Sequence, residues 1–447
     1  MNESELLTSL PTSLFCSVLR DWLCLKSVVT LDTAYCSKAN RCCFEDLLQS
    51  DEYFVRERLI VPTNETEPRG YCGLSKFGCK IRSVEVKNGL SVAQGRAMVD
   101  HCRNLLCVHY VGQDRTSQAI WDLLEANINI ESLSLTLHTF LTFPPLAELP
   151  SPPTISLPNL RSFGLFGFSL QDDKIMEALK INKHLAKLDL SQSNVSRETV
   201  LQILQLCRRL VSLGLAATPL DNEVLRAIAT FCPDIKHLNI EGGDVFRRTN
   251  GITDAGILAV AQNLKSLQSV NINDHDNLSD ESLAHIYTYC KDTLHTLHLR
   301  CRTTAGGQTY GATAMHELLE RCTQLRTLYF GYWHDDTTFD TDITLPAPTL
   351  RNLKVLVLRG NIVCDRNITA IGRYGQNLQK VGIFGTSTYL YGTLKDISVG
   401  CPSLSELYGR FDLIPGDDMD MWAVNRPEVY VSTSLTKELS HFNVLDM

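Results

Sequence analysis

One pattern returns along most of this chain of 447 residues: apolar-x-x-apolar-x-apolar. It begins at Ile81–Val84–Val86, Leu105–Val108–Tyr110, Ile130–Leu133–Leu135 and Leu160–Phe163–Leu165. It continues through Leu185–Leu188–Leu190, Leu210–Leu213–Leu215, Ile235–Leu238–Ile240 and Leu267–Val270–Ile272. Leu294–Leu297–Leu299, Leu325–Leu328–Phe330, Leu353–Leu356–Leu358 and Leu378–Val381–Ile383 follow, and Leu404–Leu407 closes the series with Gly409 in the third slot. These are thirteen occurrences whose central residues lie 24 to 32 positions apart. The last two apolar positions of each are two apart, so they share one face of a short strand. The first reaches the same core from the turn before it.

Helix-spaced apolar residues fill the intervals, as in Val224, Leu225 and Ile228, or Ile257, Leu258 and Ala261. Ser196, Asp221, Thr253 and Ser279 precede these runs, where a side-chain oxygen accepts from the orphan N–H groups of a first helical turn. One strand and one helix per period lies in the leucine-rich-repeat range. The expectation is an α/β fold: a leucine-rich-repeat solenoid, a curved horseshoe of about 13 strand–helix repeats with a parallel sheet inside, covering 81–410. Cysteine has a fixed place in it. Cys102, Cys207, Cys232, Cys322 and Cys401 sit three residues before the first apolar position, and Cys290 sits four before. A small, weakly polar side chain suits that corner between helix and strand.

The segments CPDIKHLNI, GITDAGILAVA and NLSDESLAHIYTYC, within 232–290, resemble the cysteine-containing leucine-rich repeats of F-box proteins. The resemblance implies a protein-binding surface built from repeats.

Residues 6–50 do not follow the repeat. Leu14, Val18, Leu19, Trp22 and Leu23 lie on one helical face, with Pro11 in a first turn and Ser9 as its cap. Two more helical stretches are expected over 26–34 and 38–48. The segment resembles an F-box: Leu10, Pro11, Leu14, Val18, Leu19, Leu25 and Val28 lie on its motif positions. In that family these positions face the adaptor of SCF-type ubiquitin ligases, and through it a cullin. The motif's usual late Trp is replaced by Lys38-Ala39-Asn40-Arg41. The other reading is a helical cap over the first repeat, which solenoids require. The organisation expected is an F-box-like helical segment at 6–50, then linker and start of solenoid at 51–80. The solenoid at 81–410 and a C-terminal cap or tail at 411–447 complete it.

Several classes find no support. The formal charge of -8 argues against nucleic acid as a whole-chain partner. No run is long and apolar enough for a membrane helix, and the start MNESE lacks a basic export signal. The 16 cysteines include no Cys-x-x-Cys, so they are read as reduced thiols of a cytoplasmic or nuclear protein. Gly306-x-x-x-x-Gly311 is followed by Ala312-Thr313 where a P-loop needs Lys-Ser/Thr. His295 and His298 are too awkwardly spaced on a strand to share a metal. The acidic runs at Asp335-Asp336, Asp340-x-Asp342 and 416–422 read as solvated loops. The chain is therefore expected to be no enzyme, with no cofactor and no metal, and a monomer within a larger complex.

The expected binding face is the row between the last two apolar positions. It changes from small residues to Asn239, Asn271, His298 and Tyr329. Around the strands eleven basic residues face five acidic ones, Arg300 and Arg359 among the basic. Asn239, Asn271, His298, Arg300, Tyr329 and Arg359 are therefore the candidate substrate-binding set, for an acidic or phosphorylated protein segment. Tyr329 is its apolar anchor and His298 a source of pH dependence. Long intervals place loops at 140–156, 242–251, 302–311 and 331–350. Two functions follow: a substrate receptor of an SCF-type ligase, or a leucine-rich-repeat scaffold whose front helices only cap the solenoid.

Overall fold

The computed structural model describes residues 58–61, 79, 81–86, 89–90, 92–112, 118–137, 157–167, 171–243, 251–301, 310–332, 343–384, 393–409 and 426–432. The F-box-like positions Leu10 to Val28 lie outside the described residues, as do the loops 302–309 and 333–342. The chain divides into two compact units, Met1–Leu185 and Ala186–Met447.

In the first unit five strands follow one another in parallel: β1 (Arg58–Val61), β2 (Ser83–Val86), β3 (Cys107–Gly112), β4 (Ser132–Leu137) and β5 (Ser162–Phe166). Helices α1 (Val92–His101), α2 (Gln118–Glu125) and α3 (Asp172–Ile181) belong to it. The second unit repeats the plan with ten strands. They are β6 (Lys187–Asp189), β7 (Ser212–Gly214), β8 (His237–Asn239), β9 (Ser269–Asn271), β10 (Thr296–Cys301), β11 (Thr327–Tyr332), β12 (Val355–Arg359), β13 (Lys380–Phe384), β14 (Glu406–Gly409) and β15 (Tyr430–Ser432). Its helices are α4 (Arg197–Leu206), α5 (Asn222–Phe231), α6 (Asp254–Asn263), α7 (Asp280–Tyr289), α8 (Ala312–Arg321), α9 (Ala347–Asn352), α10 (Asp365–Tyr374) and α11 (Thr393–Gly400). Each unit is a strand–helix solenoid of the leucine-rich-repeat type.

Register confirms the repeat. Val84, Val108, Leu133 and Phe163 stand opposite one another in the first unit. From Leu188 through Leu213, Leu238, Val270, Leu297, Leu328, Leu356 and Val381 to Leu407 the same holds in the second. None of these thirteen is more than 3% exposed. Truncating one to Ala removes contacts with the strands on both sides, at a cost of about 2–5 kcal/mol. β1 and β15 extend the ladder beyond the thirteen, with Leu59 opposite Val84 and Val431 opposite Leu407.

Three columns of hydrogen bonds tie neighbouring repeats, two through side chains and one through backbone. The first residue of one helix bonds the N-cap of the next: Arg197 Nε to Asp221 (2.6 Å), and Asn222 Nδ2 to Thr253 Oγ1 (2.8 Å). Asp254 then accepts from Ser279 N (2.9 Å), and Asp280 from Gly311 N (2.7 Å). Ser196, Asp221 and Ser279 cap their own helices as their spacing suggests, while Thr253 has no such bond of its own. The second column is the cysteine slot after each helix. Cys232 Sγ donates to Cys207 O (3.5 Å), one repeat back. Asn127 and Asn182 fill the same slot, and Nδ2 of each donates one repeat back, to Cys102 O and Leu157 O (both 2.8 Å). Arg426 serves the last turn, with Nη1 on Cys401 O at 3.3 Å. The described cysteines are free thiols, and burial pushes those of Cys102, Cys232, Cys322 and Cys401 up to about 12.

The third column is backbone. The carbonyl just before each strand from β6 to β13 accepts two N–H groups of the following repeat. Lys236 O takes Gln268 N (2.8 Å) and Ser269 N (2.9 Å), and His295 O takes Arg326 N (2.8 Å) and Thr327 N (3.0 Å). This fixes a continuous rim along the N-terminal ends of the strands.

Candidate protein-binding face

Strands β6 to β9 have only three residues, and in β6, β8 and β9 the third side chain ends the strand. Asp189 Oδ1 accepts from Ser191 N (2.8 Å), Asn239 Oδ1 from Glu241 N (3.2 Å), and Asn271 Oδ1 from Asn273 N (3.0 Å). A short side chain bonding the amide two residues on turns the backbone out of the ladder. The same use buries it. Asn239 is 4% exposed, Asn271 0% and Asp189 4%. The row therefore differs from the solvent-facing one that alternation suggests, because its polar groups are consumed by the turns they form.

Three residues beyond the strand end the chain passes a left-handed position, φ 58° at Gln192, 55° at Ala217 and 62° at Asp274. Gly242 occupies the matching place, and a Cβ there would meet the Asp274 carbonyl oxygen at 2.3 Å. The turn brings Asp274 under Arg300. Arg300 Nε lies 3.0 Å from Asp274 Oδ1, Nη2 bonds Asp274 Oδ2, and Nη2 reaches Glu241 Oε1 at 2.9 Å. The other oxygen of Glu241 accepts from Asn271 Nδ2 at 2.8 Å. Burial raises the Glu241 carboxyl above its usual range, Arg300 opposes the rise and Asp274 adds to it. Burial works against the Arg300 charge as well, and the hydrogen bond and charge of Asp274 outweigh it.

His298 lies mid-β10, 5% exposed, stacked on Tyr329 of β11 with centroids 3.9 Å apart and planes 16° apart. Burial first, and Arg300 second, pull His298 down to about 3, so its ring is neutral at physiological pH. Burial raises the Tyr329 phenol, and Tyr408 adds to this. Tyr408 hydrogen-bonds Glu406, whose other oxygen pairs with Lys380 at 3.0 Å. Arg359 ends β12 and is exposed, opposite Gly331 and Phe384.

The structure thus brings Asn239, Asn271 and Arg300 into one hydrogen-bonded cluster and joins His298 to Tyr329, while Arg359 stands two strands from Arg300 at the same register position. Three of the eleven basic residues are already paired: Arg300, Lys380 and Arg161 have carboxylate partners, the last at 3.7 Å from Glu131. Asp274 escaped the sequence reading. It belongs to no strand, and only its distance beyond Asn271 marks it.

The site and fold define a repeat protein whose strands present a polar and aromatic face. No family model matches the chain, and no curated protein matches it. Among solved structures, the crystal structure of a Rad7 and Elc1 complex in yeast is similar, at 14% identity and a TM-score of 0.41. The match covers 96% of this chain and 93% of that chain.

Proposed function

We propose that this chain is the substrate-recognition subunit of an SCF-type E3 ubiquitin ligase, acting in the cytoplasm or nucleus. Residues 6–50 bind the adaptor and, through it, a cullin. The solenoid selects a protein for ubiquitin-dependent degradation, and the ligase chemistry belongs to other subunits. One observation carries the reading: a Leu10-Pro11-led amphipathic segment precedes repeats whose turns hold cysteine in a recurring C-terminal helix slot.

The test is co-purification. Full-length chain retains an SCF adaptor, and Leu14→Asp with Leu19→Asp abolishes retention while the circular dichroism of the solenoid is unchanged. Failure of the wild-type chain to hold the adaptor refutes the ligase reading. Global unfolding of the double variant favours the scaffold reading, in which those helices only cap the repeats.

A further inference from the structure

The unpaired positive charge of the second unit lies one step from the row that alternation picks out. The rim set by the doubly accepting carbonyls runs Ala186, Val211, Lys236, Gln268, His295, Arg326, Lys354, Gln379. Beside it runs the first residue of each strand: Lys187, Ser212, His237, Ser269, Thr296, Thr327, Val355, Lys380. Neither column holds an Asp or Glu from β6 to β13. The first acid is Glu406 on β14, and it already pairs with Lys380.

Side chains agree with this. Lys236 and Lys354 are exposed, and neither has an ion-pair partner among the described residues. Arg326 spends one nitrogen on the carbonyls of Thr323 (3.4 Å) and Leu325 (3.1 Å), which holds its guanidinium at the rim with no carboxylate on it. The charged groups acting on His237 are Lys187, Lys236 and His295; after burial they depress its ring, and no acid offsets them. Nδ1 of His237 and of His295 is shut away without a hydrogen-bond partner. The nearest acids in sequence, Asp234 and Asp292, lie on the turns, where they act on the thiols of Cys232 and Cys322.

We propose that Lys236, His237, His295, Arg326 and Lys354 form the recognition strip for the substrate, and that it takes an extended polypeptide segment bearing anionic oxygens. This rests on the substrate-receptor reading. Consecutive strands stand about 4.8 Å apart, so the four steps from β8 to β12 span about 19 Å. That length holds roughly six residues of extended peptide. Alternate residues of such a peptide face the same way, about 7 Å apart, so every second side chain meets the strip. Gln268, Thr296 and Thr327 supply neutral donors between the charges. His237 takes up a proton when an anion settles beside it, so binding strengthens as pH falls below the ordinary histidine value.

The test measures fluorescence anisotropy of full-length chain with four labelled probes. They are a peptide alternating Glu with Ser, its phosphoserine-for-Glu counterpart, its Lys-for-Glu counterpart, and a single-stranded oligonucleotide. Both anionic peptides bind, the Lys peptide does not, and affinity falls with salt. The phosphoserine peptide binding alone assigns a modified segment; the Glu peptide binding equally assigns an unmodified one. The triple variant Lys236→Glu, Arg326→Glu, Lys354→Glu weakens peptide binding about 30-fold, since each exposed pair lost or reversed counts for a few-fold. The charge-matched control Arg209→Glu, Arg226→Glu, Lys291→Glu on the turns and helices changes it less than about twofold. If the triple variant unfolds, Lys354→Glu alone carries the comparison. Unchanged binding by the strip variant, or tighter binding of the oligonucleotide than of either peptide, overturns the proposal. Adaptor retention separates the two readings. Retention with no peptide binding sinks the strip alone, and peptide binding without retention sinks the ligase reading alone.

Discussion

Replacing Arg300 by Met removes the cation that Glu241 and Asp274 share. Asp274 is 3% exposed and Glu241 26%, so two carboxylates are left facing one another in a largely dry turn. Breaking a buried pair by deleting one partner costs about 3–5 kcal/mol. Arg300 is itself 23% exposed, and solvent screening sets the expectation near the lower end, about 3 kcal/mol. For a unit of this size that lowers the melting temperature by about 6 to 12 °C. The pH dependence has a definite sign. Glu241 has its folded-state value raised by burial, so the folded state holds the proton more tightly than the unfolded chain does. Stability is gained as pH falls through the folded value toward about 4.3 and lost as pH rises through it. Without Arg300 that value rises further, so Arg300→Met recovers part of its loss between about pH 7 and pH 5. Adding Glu241→Gln and Asp274→Asn to the variant restores most of the stability at neutral pH. Thermal unfolding followed by circular dichroism at both pH values decides it. A loss below about 1 kcal/mol, or one independent of pH, refutes the view that these three charges form one buried unit.

Asn182→Ala removes bonds to Leu157 O, Ala178 O and Leu160 N and is expected to destabilise by about 3 kcal/mol in urea unfolding, with Asn182→Cys in between. Gly242→Ala drives a Cβ into the Asp274 carbonyl and should cost about 1–3 kcal/mol by the same measurement, whereas a neutral result would mean the turn can shift. At pH 8 iodoacetamide should label exposed Cys79 and spare Cys207 and Cys290, whose thiols burial pushes up to about 11; mass spectrometry of the digest reads this. The His298 ring should stay neutral at pH 5 in an NMR titration, and charging near pH 6.5 would contradict its burial against Tyr329.

The repeat was legible because its signal is redundant. Leu188, Leu213 and Leu238 each mark a strand by the same spacing, and a register set by burial admits one alignment. β1 and β15 were not legible, since Arg56 and Glu428 stand where the motif needs its first apolar residue, and Thr433 stands where the last strand needs its third. The face was half legible. Alternation correctly puts Asn271 and His298 on the side away from the core leucines. It carries no information on whether a polar side chain meets water or its own backbone, and Asn271 meets its own turn. Charge counting had the same weakness: Arg300 counts as free in sequence, while its partners Asp274 and Glu241 are 26 and 59 positions away.

The reach of Arg300 over β9 to Glu241 has a mechanical consequence. Most ties in the second unit join a repeat to its immediate neighbour, so a pulling force applied along the chain should peel repeats away singly. Each release frees about 26 residues, a contour gain of about 90 Å. The guanidinium clamps β8 and β10 together across the strand between them, so those repeats must part as a block. A force–extension trace would show a double-length step there, and Arg300→Met would split it into two single ones.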